Sequence, residues 1–360
     1  MGTPLREQVE EALLERYAPH LRPFTPQTSL DAHKDGSYGV SALSVTMYAT
    51  GNNLRGMSRH RFGLFYDDGT SFFAVGYFQK ELDPPGSEGY LFLVAPRGKD
   101  VLAKVADISE WALSSGLPCK GAYARFLSED QRAALLLQGF SPISASPWHP
   151  DAPQEDETYC HSIVALDALL DVEGPKSVPL LSPNSRRKAI DGFNRFGNFL
   201  ARNGFTFSLE ERVEPDEAKG LLNAHFESLR QRGKLIGSTP EDHYNSLDFS
   251  SVPGVYSFMP RLQGVPVALF VGERLSSERL GLYTSITRWD TSTLASIPEL
   301  RNPAGFGGLT TYAYLAFFRE LRAQGFKEAH LGGSEVESLN TFKRRLGAKE
   351  DPTHWAVLLP

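Results

Sequence analysis

Along this chain, alternating apolar and polar positions give way to helical spacing twice, in the same order. At Arg61–Phe78 (RFGLFYDDGTSFFAVGYF) two aromatic and β-branched runs flank Asp67-Asp68-Gly69, the pattern of a β-hairpin. Further on, Val255–Leu262, the turn Gln263-Gly264, Val265–Glu273 and Leu280–Thr287 read as three consecutive antiparallel strands. Each set is followed by an amphipathic helix, Val101–Ser114 and Thr311–Gln324. After the first helix come Gly116, the strand-like Cys119–Leu127 and a helix Glu129–Gln138 closed by Gly139-Phe140. After the second come Gly325, Glu328–Leu331 and a helix Val336–Arg345 closed by Leu346-Gly347-Ala348. Gly116 to Gly139 is 23 positions and Gly325 to Gly347 is 22. Two copies of one structural plan in tandem account for this repeat.

Between the copies, Ser146–Thr158 carries three prolines and four acidic residues with no hydrophobic periodicity, which reads as an exposed connection. A short buried strand at Cys160–Leu166, a loop at Gly174–Pro183 and a polar, basic helix at Ser185–Asn203 follow. The expected domains are 1–158 and 159–360. With 360 residues, 41% hydrophobic and 22% charged, each has enough apolar residues for its own core, and a disordered or collagen-like chain is excluded. Two cysteines without C-x-x-C spacing point to a reducing compartment. The N-terminus lacks a basic stretch leading into an apolar one, and no apolar run reaches the roughly 18–20 residues that span a bilayer. The expectation is an unprocessed cytoplasmic protein with no membrane span. The net charge of -6 divides into -9 for residues 1–174 and +3 for 175–360, so a phosphate-bearing ligand would favour the rear half.

Candidate chemistry gathers in that half. Asn302-Pro303-Ala304-Gly305-Phe306-Gly307-Gly308 stands just before a helix beginning near Thr310. Glycines let backbone N–H groups crowd around an anion, and the helix N-terminus adds its partial positive charge. The plainer alternative is a loop with Thr310 or Thr311 as N-cap. In the front half, Val94-Ala95-Pro96-Arg97-Gly98-Lys99-Asp100 lacks the second glycine, and Asp100 would meet a phosphate with like charge. The front copy is therefore expected to shape the cleft, hold the acceptor or brace its partner, with Arg97 and Lys99 either holding an acidic acceptor or forming a solvated turn. On the last helix, Lys343, Arg344 and Arg345 cannot share one face at about 100° per residue, so one of them should reach the cleft. For removal of an amine proton the candidates are Glu335, His225 with its neighbour Glu227, and Tyr283 at the end of a strand, each also explicable structurally. The nine histidines are dispersed, and no phosphate-loop, His-Glu-x-x-His or Gly-x-Ser-x-Gly motif is present. A metal enzyme is not expected.

A helix ending in Gly, a strand, then a helix closing on Leu-Gly-Ala or Gly-Phe resembles the C-terminal part of the GNAT fold. The rear half, with NSRRKAIDGFNRF at Asn184–Phe196, LLNAHFESLRQRGK at Leu221–Lys234, the strand pair around LQGVPVALFVGE and the closing AHLGGSEVESLNTFKRRLGA, is similar to the FemAB/FemX group of aminoacyltransferases over roughly residues 160–360. The front half matches at the level of fold. The resemblance implies an α/β (α+β) chain of two tandem GNAT-like (acyl-CoA N-acyltransferase) domains, each a mixed, mainly antiparallel sheet flanked by helices. It implies transfer of an aminoacyl group to an amine, on a peptidoglycan precursor or a small biosynthetic molecule, with aminoacyl-tRNA as co-substrate and no other cofactor. By the same resemblance Lys343 meets the aminoacyl ester or terminal phosphate, so that Lys343→Met should abolish turnover and leave the melting temperature nearly unchanged. The glycine loop resembles the GNAT pyrophosphate loop with Asn302 in place of Arg or Gln. Asn302, Gly305, Gly307, Gly308, Thr310, Arg344 and Arg345 make up the expected donor site. The long helical-hairpin insertion of some members and the transmembrane segments of the lysyl-phosphatidylglycerol synthases are not visible. Two alternatives stand beside this reading: a GNAT N-acyltransferase using acetyl-CoA or another acyl-CoA, and a non-catalytic GNAT-like binding protein.

Overall fold

The computed structural model describes residues 5–23, 43, 57–80, 84, 86–142, 161–167, 183–233, 240–248, 253–288, 307–333, 337–351 and 355–360. The front half begins with α1 (Leu5–Tyr17) and the strands β1 (Leu21–Pro23), β2 (Met57–Asp67), β3 (Ser71–Lys80) and β4 (Gly89–Gly98). The predicted hairpin joins β2 to β3. Asp68 closes it by accepting the N–H groups of Thr70 and Ser71 and the Thr70 hydroxyl at 2.8–2.9 Å, while Gly69 supplies the positive φ the turn requires. Next come α2 (Val101–Ser114), β5 (Cys119–Leu127), α3 (Glu129–Leu137) and β6 (Ser141–Pro142). Ser128 and Gln131 form a reciprocal capping box at the start of α3. Helices α1, α2 and α3 cover one face of the sheet, burying Val9, Leu13, Val105, Ile108, Leu135 and the strand residues facing them.

The rear half contains β7 (Ser162–Ala165), α4 (Pro183–Asn203), β8 (Phe207–Glu211), α5 (Pro215–Gln231), α6 (Pro240–Asp248), β9 (Val255–Leu262), β10 (Val265–Pro266), β11 (Ala268–Arg274), β12 (Arg279–Thr287), α7 (Leu309–Ala323), β13 (Glu328–His330), α8 (Glu337–Arg345) and β14 (Lys349–Glu350), followed by β15 (Trp355–Leu359). The run expected as one strand, Val265–Glu273, divides at Val267, whose N–H bonds Pro260 instead. Alternation along β11 sends Ala268 and Phe270 to the α7 side and Leu269 and Val271 to the α5 and α6 side.

The repeat is visible in the sheets. In front, β2, β3 and β4 are antiparallel, α2 crosses over, and β5 returns parallel to β4. At the rear, β9, β11 and β12 are antiparallel, α7 crosses over, and β13 returns parallel to β12. The fold is thus the expected mixed architecture of two mainly antiparallel sheets flanked by helices. One feature departs from a division into 1–158 and 159–360. The last strand, β15, lies in the front sheet between β5 and β6, whereas β7 occupies the equivalent place in the rear sheet between β13 and β14. Of the two, only β15 crosses from one half to the other's sheet, and its Val357 is buried in the front core. The connection expected at Ser146–Thr158 lies outside the described residues.

Candidate functional site

The two copies differ where the parallel strands run side by side. In front, β4 and β5 stay paired over six positions, from Gly89↔Cys119 to Val94↔Arg125. At the rear, β12 and β13 pair over three, from Arg279↔Glu328 to Gly281↔His330, and then part. Leu331 and Gly332 continue the pairing of β13 with β7 by bonding Ser162. Beyond the parting point β12 runs on through Tyr283, Thr284 and Ser285, with a one-residue bulge at Tyr283 where the register against β11 shifts. Tyr314 of α7 hydrogen-bonds Ser285 from one face, its burial pushing the phenol up to about 12. From the other face, His243 Nδ1 lies 3.0 Å from Thr284 Oγ1, which Ser246 Oγ also meets at 3.0 Å. Burial, with a smaller contribution from His225 nearby, lowers the His243 pKa to about 4.

Toward the far end of β12 lies the start of α7, where Leu309 packs with Val267. Its N-cap is Gly308, with no side-chain cap, so Thr310 sits inside the first turn rather than capping it. A Cβ on Gly308 would lie 1.9 Å from the Gly192 carbonyl oxygen, so this glycine is required by the close crossing of α4 over α7. Close by, Arg195 of α4 brings its guanidinium to Gly307, where an added Cβ would be 3.1 Å from Nη1. A cation beside the positive end of a helix is an unfavourable arrangement by itself and suits a bound anion. Arg195 was not singled out by sequence reasoning; its place in the basic helix, one turn after Gly192, is the signal that marks it.

Lys343 is buried, 6% exposed, and donates from Nζ to the carbonyls of Gly332 (3.0 Å) and Gly333. Arg344 is exposed and paired with Glu350 at 2.8 Å, and Arg345 is half-buried. Of the three adjacent cations Lys343 alone is buried. The expected set does not converge on one point. His225 and Tyr283 belong to the α5 and α6 side of the rear sheet, whereas Phe342 beside Lys343 packs on Tyr314 on the α7 side. Asn302, Gly305 and Glu335 lie outside the described residues.

The front counterpart is closed. A Cβ on Gly98 would lie 1.9 Å from the Thr70 carbonyl oxygen, Lys99 N–H donates to that same oxygen at 3.0 Å, and Ser71 Oγ donates to the Lys99 carbonyl. The start of α2 is held against the β2–β3 hairpin with the Asp100 carboxylate on it. Elsewhere, a cavity of about 720 Å³ opens between the β8–α5 turn and β9, lined by Arg212, Pro215, Tyr256 and Ser257, and holds none of the expected site residues. Histidines dispersed in the sequence meet in pairs in space, His161 with His330 at 5.2 Å between ring centres, yet among the described residues no three His, Cys, Asp or Glu side chains are grouped to hold a metal.

No protein-family model matches the chain, and no curated protein matches it in sequence. Solved structures do match. The crystal structure of FemX superposes with a TM-score of 0.61 at 11% identity, covering 94% of this chain and 96% of FemX. A conserved protein of unknown function from Bacteroides thetaiotaomicron gives 0.60 at 15%, covering 94% and 98%. L-PGS from Bacillus licheniformis gives 0.51 at 13%, covering 99% and 92%. These likenesses are of fold: the two-sheet architecture they share runs through nearly the whole chain. Within that architecture the fold is FemX-like, and the resemblance read from the rear half of the sequence holds, at the level of fold, for the front half as well.

Proposed function

We propose that this chain is an acyltransferase that joins an aminoacyl group, carried as an ester on tRNA, to an amine, and that the rear sheet holds the carrier. The observation that supports this most directly is that β12 and β13 pair over only three positions, with the buried Lys343 held at Gly332 just past the last of them, while Arg195 stands at the start of α7. In this reading the acceptor nitrogen attacks the ester carbonyl. A C–N bond forms, the carbonyl electrons pass to oxygen, and collapse of the tetrahedral intermediate breaks the bond to the ribose oxygen, which leaves with the proton the amine gives up. A fixed ammonium at Lys343 stabilises the oxyanion, and the α7 N-terminus with Arg195 takes the phosphates of the tRNA end. The acceptor is an amine on a peptidoglycan precursor or a small biosynthetic molecule, and the front sheet braces the cleft.

The test is incubation with a mixed pool of radiolabelled aminoacyl-tRNA and a cell extract as acceptor source, reading label in an amide stable to mild base. tRNA affinity should fall steeply with salt, because phosphate contacts release counterions. Stabilisation by millimolar CoA with no tRNA binding would replace this reading with acyl transfer from CoA, since a helix N-terminus accepts a pyrophosphate equally well. Binding of neither would leave a non-catalytic role.

A further inference from the structure

Lys343 is held by two successive carbonyls, those of Gly332 and Gly333. Neighbouring carbonyls of an extended strand point to opposite sides, so both can meet one ammonium only where the chain bends. Gly332 provides that bend, with φ at +65°. His330, the last residue of β13, fixes it from within the strand: its Nδ1 accepts the Gly332 N–H at 3.2 Å. A backbone N–H only donates, so Nδ1 carries no proton and the ring's hydrogen sits on Nε2, where it donates to Asp351 Oδ2 at 2.8 Å. Asp351 is itself anchored, its N–H donating to the His161 carbonyl at 2.7 Å. Both groups are buried, His330 1% and Asp351 7% exposed, so neither exchanges its partner for water. The chain of contacts runs Asp351, His330, Gly332, Lys343, and it begins at the residue from which the chain leaves the rear sheet for β15.

We infer that His330 and Asp351 are a positioning pair: the carboxylate orients the imidazole, the imidazole fixes the Gly332 bend, and the bend presents the two carbonyls that hold the Lys343 ammonium. Neither residue touches substrate. The catalytic consequence rests on the reading of Lys343 as the oxyanion-stabilising cation; the positional consequence does not.

Trace acetic anhydride labelling of the full chain, with Lys188 and Lys219 as internal references, reports how firmly Lys343 is held. In His330→Leu, labelling of Lys343 relative to the references should rise by about tenfold, the worth of one lost buried hydrogen bond. His330→Gln, which offers a carbonyl and an N–H at similar reach, should restore much of the protection. In the aminoacyl-transfer assay kcat should fall by about tenfold in His330→Leu with KM for aminoacyl-tRNA within about twofold, and His330→Gln should recover it. If His330→Leu does not fold by circular dichroism, His330→Phe, which keeps a ring of similar shape and offers no acceptor to Gly332, is read the same way. Unchanged Lys343 labelling in a folded variant overturns the proposal. Increased labelling in a chain whose wild type transfers no aminoacyl group upholds the positioning pair and removes the aminoacyl-transfer reading instead.

Discussion

The front and rear sheets are built to one plan and differ at one place, the C-terminal ends of the parallel pair. In front, six paired positions and the lock between Gly98, Lys99 and Thr70 close that end and put the Asp100 carboxylate on the following helix. At the rear, three paired positions, a bulge at Tyr283 and a glycine N-cap leave it open, with Arg195 on the helix start and Lys343 buried nearby. In the front copy the glycine-bearing connection braces its own hairpin, and under the proposed function the carrier falls to the rear copy alone.

The sharpest way to test this asymmetry is Lys343→Met. Loss of a preorganised cation at a developing oxyanion should reduce transfer by about 10²–10³. Burial of Nζ against two carbonyls adds a stability loss of about 1–3 kcal/mol, since those acceptors are left unpaired, which replaces the sequence-based expectation of an unchanged melting temperature. Lys99→Met in front should do neither, and equal activity losses for the two would erase the distinction between the sheets.

Gly308→Ala and Gly98→Ala each place a Cβ 1.9 Å from a carbonyl oxygen, so both should destabilise by about 1–3 kcal/mol through overpacking. Tighter discrimination comes from tRNA binding, which only the rear substitution should weaken, as it pushes α4 and Arg195 off the start of α7. A front substitution with the same effect on binding would contradict a single carrier site.

Acid should separate the sheets as well. Burial pushes His243 and His330 in the rear down to about 4 from the usual 6.5. The unfolded chain takes up these protons first, so the stability they contribute is complete above about pH 6.5 and is lost as pH falls toward 4. In front, burial raises the Asp68 carboxyl, but hydrogen bonds from Thr70, Ser71 and Tyr66 outweigh it and hold it near 2. Its contribution is present above the ordinary value of 3.8 and disappears only as pH falls toward 2. Hydrogen exchange at pH 5, corrected for intrinsic rates, should therefore show β11 and β12 opening before β2 and β3; the reverse order would refute the assignment.

The smallest expected effect pairs Arg195→Ala with Asp100→Asn. Removing one phosphate-binding cation should weaken tRNA affinity a few-fold and reduce the salt slope by about one, while the front change should leave both untouched.

Much of the fold was legible because local periodicity and turn chemistry report it directly. Helix α2 runs from Val101 to Ser114 as its apolar spacing indicates, and the Asp67-Asp68-Gly69 turn joins the strands that flank it. The repeat was legible for the same reason, since each copy closes its helices with glycine. Of the candidate site, the sequence singled out Lys343, which is buried, and Gly308, which serves a helix crossing, while Thr310 is no cap. Arg195 and His330 lie inside stretches that carry the resemblance and Asp351 just beyond the last, but none was singled out because no local spacing marks a role for it. Arg195 is brought to Gly307 by the packing of α4, and His330 and Asp351 stand 21 residues apart and meet only when β14 folds back beside β7.

The sequence by itself determined two copies of an antiparallel-then-parallel plan, an acidic front and a mildly basic rear, because hydrophobic period, turn residues and charge are local properties that survive without neighbours. Only the tertiary structure decided that the last strand, β15, completes the front sheet, that one parallel pair stays paired and the other does not, and which of three adjacent cations is buried. Those outcomes depend on which backbone groups find partners across long sequence separations, and no local pattern carries that information.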